Sequence, residues 1–198
     1  MKLTKEHINK LKEAYGEDAK KVIEAIKFAD KKHKGILRDD GTPYILHPLR
    51  VAGFVQKYKI TKHGSMLFMA AVLHDTIEDT YTSYRELCDR FGEETASIVM
   101  ELSTAKFAPL WIGKGGKAEY LSKKMENMTS YALFIKLCDR LDNVCTLSGC
   151  TEKKINKTVS DTRIILDYIK KVRTLTSSQE KVVKAIEKEL AKYNVAEV

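Results

Sequence analysis

Apolar positions recur at intervals of three and four along nearly the whole chain, and no segment alternates convincingly as a strand. Thr4 is placed to cap a short first helix. A second helix is predicted over roughly 17–34, with Val22, Ile23, Ile26 and Ala29 on one face. Gly35, Gly41 and Pro43 mark HKGILRDDGTPYILHP as a loop. Pro48 then sits early in a helix reaching about Tyr58. The stretch 62–75 contains SMLFMAAVLHD and is apolar nearly all round, which predicts a helix central to the core. Ser83 with Glu86 reads as a capping box opening the next helix, and Gly92 separates that helix from EETASIVMELST. Residues 105–118 read as a second long loop around Trp111, placed as a pocket lid or a hydrophobic plug. Ser130 is read as the cap of YALFIKLCDRLDNVCTL, and Thr151 as the start of a helix to about 173. Ser177 with Glu180 is read as a second capping box, for a last helix to about 193. The predicted fold class is all-α.

Composition narrows the function classes. The chain has 198 residues, 43% hydrophobic and 31% charged, with 10 Gly and 3 Pro, as expected of a globular chain poor in turns. That length predicts a single domain over 1–198. No apolar run approaches the ~18 residues that span a bilayer. MKLTKEHINKLKEAYGEDAKK lacks an apolar signal core, so the expected location is cytoplasmic and no membrane is expected as a partner. Lys+Arg 35 against Asp+Glu 27 gives +8, which favours anionic partners if the charge is not merely a solvated surface. Nucleic acid is disfavoured, because only Tyr168 and Tyr193 interleave the basic segments after 151. Cys88, Cys138, Cys145 and Cys150 show no paired zinc spacing and are expected as reduced, buried small residues.

Candidate chemistry lies at three places. On the helix 131–147, Phe134, Leu137, Leu141 and Val144 form a buried face. Lys136, Asp139, Asn143 and Thr146 form a polar line at the same spacing. The bland alternative is a solvated stripe, yet a polar line on so apolar a helix must find partners. The apolar helix ends in His74 and Asp75, followed by Glu78 and Asp79 in HDTIEDT. Carboxylates so close repel one another, and a divalent cation relieves that repulsion. His47 precedes a proline at a helix start, where a histidine is often only structural. With His74, Asp75 and Asp139 it makes two imidazoles and two carboxylates, a set suited to Mn(II), Fe(II) or Zn(II). Glu78 and Asp79 are then candidates for acid–base work on a phosphate ester or anhydride.

Taken together, FADKKHKG, GTPYILHPLRVA, AAVLHDTIEDT, FGEETASIV and IKLCDRLDNVCTL resemble the HD-domain metal-dependent phosphohydrolases. Within these they resemble the hydrolase domain of the Rel/Spo alarmone enzymes, above all the small stand-alone alarmone (ppGpp) hydrolases. The likeness covers a motif core of about 20–170, with packing helices over about 151–193, and implies an HD-domain helical bundle. It implies Mn2+, with other divalent ions as options, held by His47, His74, Asp75 and Asp139. It implies Glu78 and Asp79 as the pair that positions the attacking water. Asn143 matches a contact near the reacting phosphate, with Thr146 on the same face. Arg38 matches a basic residue near the base, Tyr44 supports the pocket, and Lys136 binds phosphate or supports the site. The implied reaction removes the 3′-pyrophosphate of guanosine tetra- or pentaphosphate, giving GDP or GTP. A chain ending at 198 is expected to lack the synthetase of the bifunctional enzymes.

Two departures stand out. Asp39 and Asp40 follow Arg38 where the family commonly has a second basic residue, and acids there weaken polyphosphate binding unless they turn away. Cys145 stands where the bifunctional enzymes usually have Arg. The alternative reading is therefore the same metal site acting on an adenosine alarmone, the 2′-phosphate of NADPH or a deoxynucleotide. A third reading, a non-catalytic nucleotide sensor, is disfavoured because all six metal and acid positions are present. His7 and His63 read as surface residues. His33 suits the negative end of its helix and is a candidate to support the site.

Overall fold

The computed structural model describes residues 3–104 and 116–193. No strand occurs among them, and the only extended pairing described is an isolated bridge between Leu37 and Pro43. The expected all-α class is what the structure shows.

The chain forms two compact units, Met1–Thr104 and Ala105–Val198. In the first, α1 (Lys5–Tyr15), α2 (Ala19–Lys32), α3 (Leu46–Tyr58), α4 (Gly64–Leu73), a single turn α5 (Thr76–Asp79), α6 (Tyr84–Phe91) and α7 (Glu93–Leu102) follow one another. Helix α4 packs against α2, α3 and α7. Every residue from Leu67 to Leu73 is buried, as its all-round apolarity requires. The helix stops where the Thr76 hydroxyl donates to the Leu73 carbonyl at 2.7 Å, capping an end that would otherwise be buried and unsatisfied.

The second unit holds α8 (Gly116–Glu126), α9 (Ser130–Cys145), α10 (Glu152–Val172) and α11 (Ser177–Leu190). Phe134, Leu137, Leu141 and Val144 are buried as the spacing predicts, and α9 packs on α10 and α11. The loop expected over 105–118 is replaced by helix from Gly116 onward. The rest of that loop, with Trp111, lies outside the described residues.

Helix starts differ from the sequence reading by one residue at two places. Thr129, not Ser130, caps α9, and the Ser130 carbonyl instead accepts from Gln179. Thr176, not Ser177, caps α11, with Gln179 closing the capping box. TSSQ and SSQE both fit the box pattern. Burial of Gln179, 1% exposed, selects the first register. Thr176→Ala is accordingly expected to cost about 1 kcal/mol in urea unfolding, as caps do. Exposed Glu180→Ala should stay within about 0.5 kcal/mol; equal effects would contradict the register. At α6 the box is half made. Ser83 accepts from the Glu86 amide, while the Glu86 carboxylate is engaged by Lys32 at 2.9 Å.

All four cysteines are free thiols. Cys138 is buried as expected, with its pKa pushed up by burial. Cys145 is exposed at the last turn of α9, and Cys88 and Cys150 are half-buried, so the expectation of four buried cysteines holds at Cys138 alone.

Candidate metal centre

Three of the expected ligands come together in the first unit. His47 stands at the second position of α3, just before Pro48, whose missing N–H costs nothing in a first helical turn. Its amide donates to the Tyr44 carbonyl at 2.9 Å, so the preceding loop sets where the helix begins. His74 and Asp75 follow α4 directly. Ligand atoms of His47, His74 and Asp75 all lie within 4.8 Å of one another. His47 and His74 are buried, and the Asp75 side chain is 13% exposed.

The hydrogen bonds fix how these groups face one another. His74 Nδ1 lies 2.7 Å from the Ala71 carbonyl, which can only accept, so that nitrogen carries the proton. In the neutral ring, Nε2 then presents a lone pair, and it meets Asp75 Oδ2 at 3.0 Å. His47 Nε2 faces the same oxygen at 3.6 Å. A lone pair turned on a carboxylate oxygen is repulsive unless a metal cation or a second ring proton stands between them. An imidazole pinned through Nδ1 to a backbone carbonyl is also the usual support of a metal-bound histidine. The donor set of two nitrogens and carboxylate oxygen therefore fits a divalent ion.

Asp75 carries a further partner: the Tyr44 hydroxyl donates to Oδ2 at 2.6 Å. Burial, then the charges of and hydrogen bonds to Asp75 and Asp79, raise the pKa of this phenol, so it stays a donor. The Tyr44 ring stacks on His33 with centroids 4.8 Å apart and planes 18° apart, and Arg38 lies 6.0 Å from its centre. His33 is anchored through Nδ1 to the Ala29 carbonyl at 3.0 Å, and burial lowers its pKa.

The acidic pair sits on α5. The Asp79 amide donates to the Asp75 carbonyl at 2.8 Å, so the helical turn expected there does form, although as a separate piece from α4. Asp79 is exposed and opens on a cleft of roughly 430 Å³ lined also by Lys32, Tyr81 and Arg90. Glu78 is half-buried, and its Oε2 accepts from the Thr104 amide at 2.8 Å. Sequence reasoning missed that contact, because a backbone amide leaves no mark in residue type.

Asp40 is bonded within its own turn. Its Oδ1 accepts from the Thr42 amide at 3.0 Å and hydroxyl at 2.7 Å, and these bonds hold its pKa below the usual carboxylate value. One of the two acids after Arg38 is thus spent on the turn.

The remaining expected residues lie on α9, in the second unit. Lys136 Nζ and Asp139 Oδ2 form a buried ion pair at 2.8 Å. Asn143 donates to Asp139 Oδ1 at 2.8 Å, so both oxygens of this carboxylate are engaged along one helical line. Thr146 donates its hydroxyl proton to the Asp142 carbonyl at 2.9 Å, closing the helix.

Comparison with known proteins follows the same residues. A family model described as an HD domain matches residues 25–169. A guanosine-3′,5′-bis(diphosphate) 3′-pyrophosphohydrolase of Aquifex aeolicus is 37% identical over 168 residues, covering 79% of this chain. The chain spans about a fifth of the length of such long relatives, 22% of the Aquifex protein and 17% of one from Spiroplasma citri. The MESH1 enzyme of Xenopus tropicalis, of the same name, is 37% identical over 144 residues, covering 68% of this chain and 73% of its own. The solved structure of a metazoan orthologue of SpoT, reported to hydrolyse ppGpp, shares the fold. It has a TM-score of 0.69 and 24% identity, covering 85% of this chain and 94% of that one. No helix among the described residues is long and apolar enough to cross a membrane.

Proposed function

This chain belongs to the HD-domain family, and from that premise we propose that it is a Mn(II)-dependent hydrolase removing the 3′-pyrophosphate of guanosine tetra- and pentaphosphate. The observation that carries the reading is the His47–His74–Asp75 cluster, with the His74 ring held so that Nε2 faces the carboxylate. The names of the long Aquifex relative and of the compact Xenopus enzyme support the substrate.

On this reading His47, His74 and Asp75 hold the ion, and Asp139 serves as fourth ligand on the strength of its motif. When bound, a divalent ion supplies Lewis-acid chemistry: it acidifies water and offsets charge developing on phosphoryl oxygens. The chain's own groups do the rest. Glu78, with one oxygen tied to the Thr104 amide, keeps its other oxygen in a fixed direction to orient the attacking water. Asp79, exposed on the cleft, takes the proton from that water. Arg38 lies beside the base, and Asn143, Thr146 and Lys136 serve the polyphosphate. The net +8 raises the encounter rate with so charged a substrate. Asp40, drawn onto Thr42, weakens the objection that acids after Arg38 would repel it.

The test is a product assay. Guanosine tetraphosphate incubated with protein and Mn(II) is expected to give GDP and pyrophosphate on anion-exchange chromatography, and a chelator should stop the reaction. No turnover of this substrate, with cleavage of an adenosine alarmone or NADPH instead, would overturn the guanosine assignment and keep the metal centre. No turnover and no bound metal would overturn both.

A further inference from the structure

A metal-binding carboxylate has a problem that a metal-binding histidine does not. The histidine ring is held by its second nitrogen, as His74 is by Ala71. The aspartate χ2 torsion is broad and roughly two-fold, so its own rotamer does not fix the plane of the carboxylate. Something outside must set which lone pair faces the ion.

The geometry points to Tyr44 as the positioning residue for Asp75, with His33 as the support that aims Tyr44; this rests on the metal reading above. One oxygen, Oδ2, receives the Tyr44 hydroxyl at 2.6 Å and faces both imidazole nitrogens. The phenol occupies one lone pair of Oδ2 and leaves the other directed at His47 and His74. Asp75 is thereby held to offer that oxygen. Tyr44 cannot turn away, because three contacts hold it. Its amide donates to the Ile36 carbonyl at 3.0 Å. One ring face lies on His33, and the ring meets His47 in a T-shaped contact with centroids 5.8 Å apart. His33, 3% exposed, is itself pinned to the end of α2 through Ala29 and contributes a flat, rigid surface. The order of support runs from α2 through His33 and Tyr44 to Asp75. This role is more specific than the support of the pocket that the sequence reading gave Tyr44.

Metal binding without substrate separates the two roles. Metal-free wild type and Tyr44→Phe are titrated with Mn(II), and free Mn(II) is read by its electron paramagnetic resonance signal. Phenylalanine keeps the stack and removes only the hydroxyl. Tyr44→Phe is expected to bind Mn(II) about tenfold more weakly, the lower end of what losing such a support costs, with KM for the nucleotide unchanged. Unchanged Mn(II) affinity, or a rise in KM alone, overturns the inference. Wild type that takes up no Mn(II) overturns it together with the metal reading, whereas failure to turn over guanosine tetraphosphate would touch only the substrate. A second readout needs no variant. Mn(II) added to wild type should shift the near-ultraviolet tyrosine absorption, since the phenol shares its oxygen with the ion. Absence of that shift also overturns the assignment.

Discussion

A His74→Ala variant is expected to lose divalent-metal affinity by more than about a hundredfold and to lose hydrolysis with it. Removing a group that merely supports a ligand costs about 10–100-fold. Removing the ligand itself must exceed that, and here it also frees the Ala71 carbonyl in a buried place. Because His74 is 1% exposed, alanine leaves a void at the end of α4 and lowers stability as well. His74→Asn is the control: it fills more of the space and can present an amide to Ala71, yet it offers no imidazole nitrogen to the ion. Both variants should elute with little bound metal after reconstitution and desalting, and the asparagine form should melt closer to wild type. A His74→Asn protein that keeps full metal occupancy while losing activity would remove His74 from the ligand set and leave it a structural role.

The second large effect is on stability. Asp139→Ala is expected to destabilise the protein by about 3 kcal/mol in urea unfolding, because it removes the carboxylate 2.8 Å from the buried Lys136 ammonium. The pair is not expected to be worth that much in itself. Exchanging both partners for apolar residues of similar size, Lys136→Met with Asp139→Leu, should recover most of the loss, since it removes the two desolvated charges together. Catalysis sorts these variants differently. On the proposed reading Asp139 is a ligand and Lys136 is not, so the double variant folds and stays inactive. Lys136→Met alone leaves metal uptake in place. If Asp139→Ala unfolds at the wild-type urea concentration, the ion pair is not a stability element at all.

Much of this was legible in the residues. The apolar run SMLFMAAVLHD announced both a buried helix and ligands at its end, because an aspartate closing an unbroken hydrophobic stretch is rarely buried unless it is paired or bound to a cation. The two stripes of α9 were visible as spacing, but spacing left open whether the polar one was solvated; packing buries Lys136 and Asp139 and leaves Asn143 and Thr146 half-buried. Capping registers were missed by one residue where two overlapping patterns satisfied the same local rule. Only the tertiary burial of Gln179 chose between them. The turn-making role of Asp40 was invisible for a related reason: an acid beside a basic residue reads as charge, and its bonds to Thr42 depend on backbone angles that composition does not encode. The hold of Thr104 on Glu78 comes from a peptide group, and the Tyr44–Asp75 bond joins positions thirty-one apart that no periodicity links.

The burial of α4 has a consequence for how the molecule breathes. Amide protons from Phe68 to Leu73 sit in a helix enclosed on all sides, so their exchange with deuterium should proceed only through the largest unfolding event available to the first unit. The loop from Gly35 to Tyr44, with two glycines at positive φ and its turn at the surface, should exchange through small local openings. His74 hangs from the slow region and Tyr44 from the fast one. On that expectation the centre joins slowly exchanging backbone to backbone that exchanges faster, and uptake of an ion should slow deuterium exchange in the loop far more than in the helix.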